Sequence, residues 1–179
     1  MDYQLFQFIN GFAGKNSLLD GIMKAFSSYG PILYGIVLLV IIFASKSKAM
    51  RRVGLGGIAA AVIGLAVNFV IHHVFYRARP FVTHHVNLLL THAPDSSFPS
   101  DHTVGAFSIT FALWRFYPRL GKLLLAIAIL VGISRVFVGN HYPTDVLGGA
   151  IVGILSGMVV SKFVAKSKQQ KTSYLGMRS

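Results

Sequence analysis

Three short clusters in the 179-residue chain combine residue types that handle phosphate. They are Arg77-Ala78-Arg79-Pro80-Phe81, then Phe98-Pro99-Ser100-Asp101-His102, then Ser134-Arg135 followed after five residues by His141 and after three more by Asp145. Arg79 and Arg135 carry planar guanidinium forks that match phosphate oxygens. Arg135 sits near the end of an otherwise apolar run, where a cation is costly and marks a functional position. Pro99-Ser100 has the form of a helix start with Ser100 as N-cap. The amides beyond it then form an anion site strengthened by the helix dipole. His102 falls in that first turn. His141 precedes the Pro143-Thr144 start of another helix, and Asp145 is close enough to accept a hydrogen bond from one ring nitrogen.

These groups suffice for phosphoryl transfer without a metal. One neutral imidazole attacks phosphorus while a carboxylate fixes its tautomer. A second, protonated imidazole donates to the leaving oxygen. Arginines and helix amides neutralise the equatorial oxygens. Two histidines in opposite protonation states imply a bell-shaped pH profile, and a monotonic one across the neutral range would count against the pairing. Each piece alone is weak. Together they fix about nine positions in a set order, each with roughly one chance in twenty, which is beyond coincidence.

The elements that must position these residues are membrane helices. Hydrophobic residues make up 54% and charged residues 12%, with mean hydropathy +0.62; a soluble domain is about 25% charged. That composition excludes an ordinary soluble or disordered chain. Apolar runs cover Pro31 to Ser45, Val53 to Phe75, His102 to Tyr117, Leu123 to Val138 and Thr144 to Ala165. A weaker one, Ser17 to Tyr29, carries Asp20 and Lys24 one helical turn apart, a spacing that allows pairing. Leu5, Phe8, Ile9 and Phe12 share a helical face and read as an interfacial helix. The start has no basic segment leading into an apolar core, so no signal peptide is expected. The domain expectation is a single membrane-embedded unit over 1–165, with 1–29 interfacial or weakly hydrophobic, and a basic cytoplasmic tail over 166–179.

Cysteine and glutamate are absent. Disulfides, thiol nucleophiles and Cys-ligated metals are therefore excluded. The acids are Asp2, Asp20, Asp95, Asp101 and Asp145 alone, too few for a carboxylate-rich metal cage. His84, His85 and His92 read as solvated loop residues, because the His-Glu-x-x-His spacing of a zinc site is missing. No metal and no cofactor is expected. The net charge of +12 has a topological reading. Lys46, Lys48, Arg51, Arg52, Arg115, Arg119, Lys122, Lys162, Lys166, Lys168, Lys171 and Arg178 fall on one side if five spans alternate, and that side is cytoplasmic. The partners expected are the bilayer and its head groups, not nucleic acid. The chemistry gathers on the other side, in a long Arg77 to Ser100 loop and a short Gly139 to Pro143 loop. Leu88, Leu89 and Leu90 in the long loop read as resting on lipid, and Tyr76, Phe81 and Phe98 as interface anchors. Gly149, Gly153 and Gly157, like Gly57, Ala61 and Gly64, suit close helix packing, within the bundle or between protomers.

The three clusters resemble the signature of the type 2 phosphatidic acid phosphatase superfamily, which includes vanadium haloperoxidases and glucose-6-phosphatase. Its pattern is Lys-x6-Arg-Pro, Pro-Ser-Gly-His and Ser-Arg-x5-His-x3-Asp. The second and third motifs are matched here at every position but one, and the resemblance runs from about Val53 to Ala165. It implies an all-α integral membrane bundle of about six helices, haloperoxidase-like, with the site at the outer interface. It implies His141 as a nucleophile that forms a phosphohistidine, Asp145 as its orienting group and His102 as general acid. Arg79, Ser100 and Arg135 would hold the phosphate.

Two positions depart from the pattern. His72 stands where the family has Lys, so one phosphate ligand is lost or is replaced by His72 or Arg77. Asp101 stands where the family has Gly, and turns away or pairs with an arginine or a substrate-bound cation. The Pro-Ser-Asp-His form, the short chain and Arg-Pro-Phe resemble the bacitracin-resistance group of undecaprenyl-diphosphate phosphatases of the bacterial envelope. That implies release of phosphate from undecaprenyl diphosphate at the outer face of the plasma membrane. Phosphatidic acid and phosphatidylglycerol phosphate are the alternatives, since the motifs read phosphate and not the tail. A transporter is disfavoured by the lack of an internal repeat, and a scaffold leaves His141 and Asp145 unexplained.

Overall fold

The computed structural model describes residues 1–176, with side chains through Lys166. Its helices are α1 (Asp2–Asn10), α2 (Ser17–Ala44), α3 (Lys48–Val74), α4 (Pro80–Thr83), α5 (Asp101–Trp114), α6 (Pro118–Phe137) and α7 (Pro143–Gly176). No strand occurs among the described residues. Four of them, α2, α3, α6 and α7, are long and apolar enough to cross a membrane. The protein is a multi-pass membrane protein built entirely of helices.

Ser17–Tyr29 and Pro31–Ser45 are not two segments but one helix, α2. Asn16 caps it, accepting from the amides of Leu18 and Leu19 at 3.0 and 3.1 Å. Pro31 lies inside it and leaves the Ser27 carbonyl without its helical donor. Five helices therefore traverse the bundle, and α1 packs on the ends of α6 and α7. The expected Asp20–Lys24 pair does not form: Asp20 instead accepts from the Gly14 amide at 3.1 Å, closing the turn between α1 and α2. Lys48, Arg51 and Arg52 open α3, and Arg119 and Lys122 open α6, rather than lying in loops. α7 runs on past the boundary expected at 165. The side chains of Lys168 and Lys171, and Arg178 itself, lie outside the described residues.

α5 is the central element. Nine of its 14 residues are buried, and it packs most extensively on α7, then on α3 and α6. Its length of about 21 Å is less than the ~30 Å of a bilayer core. Surrounding helices shield its ends from lipid, which is what permits a short span. They also shelter its polar residues: Thr110 donates to the Ala106 carbonyl, and Tyr34 from α2 donates to the Leu124 carbonyl at 2.5 Å.

The α7 glycine stripe lets two backbones touch inside the bundle. A Cβ on Gly153 would lie 2.7 Å from the Val104 carbonyl oxygen, and one on Gly157 2.5 Å from that of Ser108. A Cβ on Gly149 would meet the Ser100 carbonyl oxygen at 2.7 Å. Gly149→Ala should therefore push the start of α5 away and carry Ser100 with it. The expected result is a destabilisation of about 1–3 kcal/mol, with a disproportionate loss of turnover. Thermal unfolding beside steady-state kinetics checks this, and an unchanged kcat would contradict it.

Alternation of the spans places α1, the 75–100 connection and the 138–142 turn at one end. The structure ties these three pieces together through Asn10. Its amide donates to the Phe137 and Asn87 carbonyls at 2.8 and 2.9 Å, and its Oδ1 accepts from the Asn87 amide. Phe6 is buried against Val136 and Tyr142, while Leu5, Phe8 and Phe12 face outward and Ile9 turns partly inward. Leu89 and Leu90 are half-buried, packing on Ala13, Phe137 and Val138, while Leu88 is exposed. Phe98 likewise packs edge-on to Phe75 and beside Gly148, while Tyr76 is exposed. All five acids belong to this end. The opposite end has cations and no side-chain carboxylate, the pattern that suits a surface of anionic phospholipid head groups.

Candidate active site

α6 ends at Phe137, and the chain turns through Gly139 at φ +92°. A side chain there would be strained, and its Cβ would crowd the Asn87 carbonyl at 3.2 Å. This turn delivers His141, only 2% exposed, to the top of the bundle. Its Nδ1 lies 2.8 Å from the Ser97 carbonyl oxygen, an arrangement that places the proton on Nδ1. Nε2 then holds a lone pair, and Arg79 Nη1 faces it at 3.0 Å. Burial, then the nearby Arg135 and Arg79 guanidiniums, hold the imidazole well below its ordinary pKa. His141 is thus held in its neutral form, with the Nε2 lone pair beside a buried guanidinium.

Asp145 is fully buried but does not bond His141 directly. Its Oδ2 is 3.7 Å from Nδ1, beyond hydrogen-bond distance. Ser97 stands between them: its hydroxyl donates to Asp145 Oδ2 at 2.5 Å while its carbonyl takes the ring proton. The Tyr142 amide also donates to Oδ2 at 2.8 Å. The i,i+4 spacing brought the carboxylate near, but the loop residue Ser97 fills the gap.

Arg79 is 2% exposed and held on every side. It donates to Asp95 at 2.7 Å, to the Asn140 carbonyl at 3.1 Å and to the Ser96 carbonyl at 3.3 Å. Arg135 is also buried. Its Nη1 donates to Ser27 at 2.7 Å, and Asn140, with its amide turned to suit both neighbours, accepts from Nη2 at 3.2 Å. Its Nε is a buried donor with no partner among the described residues. Ser100 occupies the N-cap position of α5 but makes no side-chain cap; its hydroxyl accepts from Thr103 at 3.2 Å. The first-turn amides of α5 are therefore open. His102 is half-buried and makes no hydrogen bond among the described residues. Two guanidiniums, open amides and a free imidazole converge as an oxyanion cradle.

Three other candidates take different places. His72 Nε2 lies 2.8 Å from the Pro99 carbonyl oxygen, bracing the backbone of the second motif. Asp101 accepts from Asn68 at 2.6 Å and pairs with no arginine among the described residues. Arg77 is engaged by Asp2 and Asp145, each at 2.6 Å. Ser97, Asn140, Asp95 and Asp2 were not among the expected site residues. Asp2 and Asp95 had one signal: with five acids in the chain, each is worth a partner search. Beside His102 an apolar cavity of about 300 Å3 runs down into the bundle, lined by Pro31, Tyr34, Leu65, Gly105 and Ile109.

The class this fold and site define is that of a membrane lipid phosphatase. The chain belongs to the PAP2 superfamily, whose pattern it matches over residues 53–169. It is 39% identical over 163 residues to the undecaprenyl-diphosphatase BcrC of Bacillus subtilis, covering 91% of this chain and 84% of that one. The crystal structure of Aquifex aeolicus LpxE superposes with a TM-score of 0.75 at 28% identity, covering 90% of this chain and 94% of that one. A transmembrane PAP2 type phosphatidylglycerolphosphate phosphatase from Bacillus subtilis does so with a TM-score of 0.68 at 28% identity, covering 92% and 86%.

Proposed function

We propose that the protein hydrolyses undecaprenyl diphosphate to undecaprenyl phosphate and inorganic phosphate, through a phosphohistidine on His141, at the outer face of the bacterial plasma membrane. The observation that carries the reaction is the Nε2 lone pair of His141 held 3.0 Å from Arg79. The likeness to an undecaprenyl-diphosphatase supports the substrate. Nine cations among the described residues at the end away from the site, from Lys46, Lys48, Arg51 and Arg52 through Arg115, Arg119 and Lys122 to Lys162 and Lys166, support the outer face.

Nε2 attacks the terminal phosphorus, and the bond to the bridging oxygen breaks. His102, as general acid, gives its proton to that bridging oxygen as undecaprenyl phosphate leaves, and is then neutral. Arg79, Arg135 and the α5 amides hold the equatorial oxygens, and Ser97 with Asp145 keeps the ring's tautomer. Water, deprotonated by His102, then attacks the phosphohistidine and releases inorganic phosphate. The tail runs along the apolar cavity beside His102.

Phosphate release by detergent-purified protein from undecaprenyl diphosphate, phosphatidylglycerol phosphate and phosphatidic acid, each with and without EDTA, tests the reading. Release from the diphosphate that survives EDTA is expected. A diphosphate left untouched while phosphatidylglycerol phosphate is cleaved would favour the second reading, a phosphatidylglycerol phosphate phosphatase, which the second structural likeness supports.

The pH profile has a stated sign. His141 loses its lone pair only as pH falls through its depressed pKa, so the acid limb of kcat/KM should lie below the ordinary imidazole value of about 6.5. An acid limb at or above that value contradicts the assignment.

Gly105 offers a test of the tail path, because a Cβ there meets nothing within 4 Å. Gly105→Phe should project into the cavity from a Cβ that has open space around it. KM for undecaprenyl diphosphate should rise about tenfold, roughly the loss of two buried methylenes, while a short-chain prenyl diphosphate is little affected. Equal effects on both substrates would place the tail elsewhere.

A further inference from the structure

Arg77 lies behind the cradle, between two carboxylates. Nη2 donates to Asp2 and Nη1 to Asp145, each at 2.6 Å, and Nη1 also reaches Thr144 Oγ1 at 2.6 Å. Thr144 donates its hydroxyl and its amide to Asp2 at 2.6 and 3.1 Å. The guanidinium stacks on Tyr142, 4.1 Å from the ring centroid. Asp2 belongs to α1, the helix whose outer face reads as membrane-facing; its inner face thus ends on the site. Burial alone would raise the Asp2 carboxyl, but the hydrogen bonds from Thr144 and Arg77 hold it below the ordinary carboxylate range, so it is ionised.

We propose that Asp2 is a positioning residue for His141: by sharing Arg77 it leaves negative charge on Asp145 to support the nucleophile, and so makes α1 part of the catalytic apparatus. This rests on the phosphatase reading above.

Two carboxylates share one guanidinium, so the trio keeps one negative charge. That charge reaches the imidazole through Ser97, which bonds both Asp145 and Nδ1. As Nε2 bonds to phosphorus, the ring becomes cationic, and a net negative trio stabilises that state more than the ground state. Without the Asp2 charge, Arg77 neutralises Asp145 and the support is lost. Asp2 touches no group of the phosphate cradle, so substrate binding is untouched.

The test is a double-mutant cycle of Asp2→Asn and Arg77→Gln, with Asp2→Glu as the conservative control. Steady-state kinetics use whichever lipid phosphate the wild-type chain hydrolyses fastest, and thermal unfolding checks each variant. Asp2→Asn should lower kcat about tenfold, the size of an ordinary pairwise coupling, with KM unchanged, and Asp2→Glu should retain most activity. In the Arg77→Gln background the Asp2→Asn loss should vanish or reverse, because the carboxylate being balanced no longer meets a cation. An equal loss in both backgrounds would mean Asp2 merely caps α7, and overturns the proposal. So would an inactive Arg77→Gln protein that Asp2→Asn does not restore, or an active wild type indifferent to Asp2→Asn. A wild type that hydrolyses none of the lipid phosphates overturns the functional reading and this proposal with it.

Discussion

Replacing His141 with alanine should abolish turnover, by about 10^4-fold or more, in a protein that still folds. His141 is the imidazole whose Nε2 faces a buried guanidinium while Nδ1 is fixed by a carbonyl. His102 cannot take over as nucleophile, because no hydrogen bond among the described residues fixes its ring tautomer. The variant keeps the elements around the gap. Arg79 retains Asp95 and the Asn140 and Ser96 carbonyls, and the turn retains the bonds of the Asn140 and His141 amides to the Arg135 carbonyl. Kinetics beside a thermal melt separate the two effects. Residual activity within a hundredfold of wild type would remove His141 from the nucleophile's role.

Arg79→Lys should be the next most damaging change, lowering kcat by about 10^2- to 10^3-fold, the range for removing one preorganised oxyanion donor. The charge survives but the fork does not. Arg79 spreads its donors over Asp95, Ser96, Asn140 and His141, which fixes the plane in which phosphate oxygens can bind. A lysine ammonium is a flexible point charge without that plane. It would leave at least one buried carbonyl unpaired and let the phosphate drift from in-line attack. The loss should fall mainly on kcat, since charge attraction to the substrate persists. A variant within tenfold of wild type in kcat would show that charge alone suffices at this position.

The spans were legible because lipid imposes long apolar runs, and the charge bias was legible because it is local to the turns. Continuity of α2 through Pro31 was not: neighbouring helices compensate the lost bond, and only packing shows that. The central place of the short α5 was not legible, since burial on all sides leaves no periodic pattern to read. Within the site, the motif spacing brought His141, Asp145, Arg79, Arg135 and Ser100 to one end, as the three clusters implied. It could not show what lies between them. Ser97 enters from a loop with no periodicity, and it takes the bond that i,i+4 spacing assigned to Asp145. Arg77 and Asp2 meet across 75 residues, a separation at which no local pattern speaks. His72 and Asp101, the two departures from the family pattern, brace the second motif through Pro99 and Asn68.

The covalent intermediate is the most direct test of the account. Undecaprenyl diphosphate labelled in its terminal phosphate would be mixed with enzyme and quenched in alkali at times shorter than one turnover. The account requires a base-stable, acid-labile label on the peptide carrying His141, formed before inorganic phosphate appears and absent from the His141→Ala protein. Phosphate released at full rate with no label on the protein at any time would mean that water attacks directly, and would contradict it.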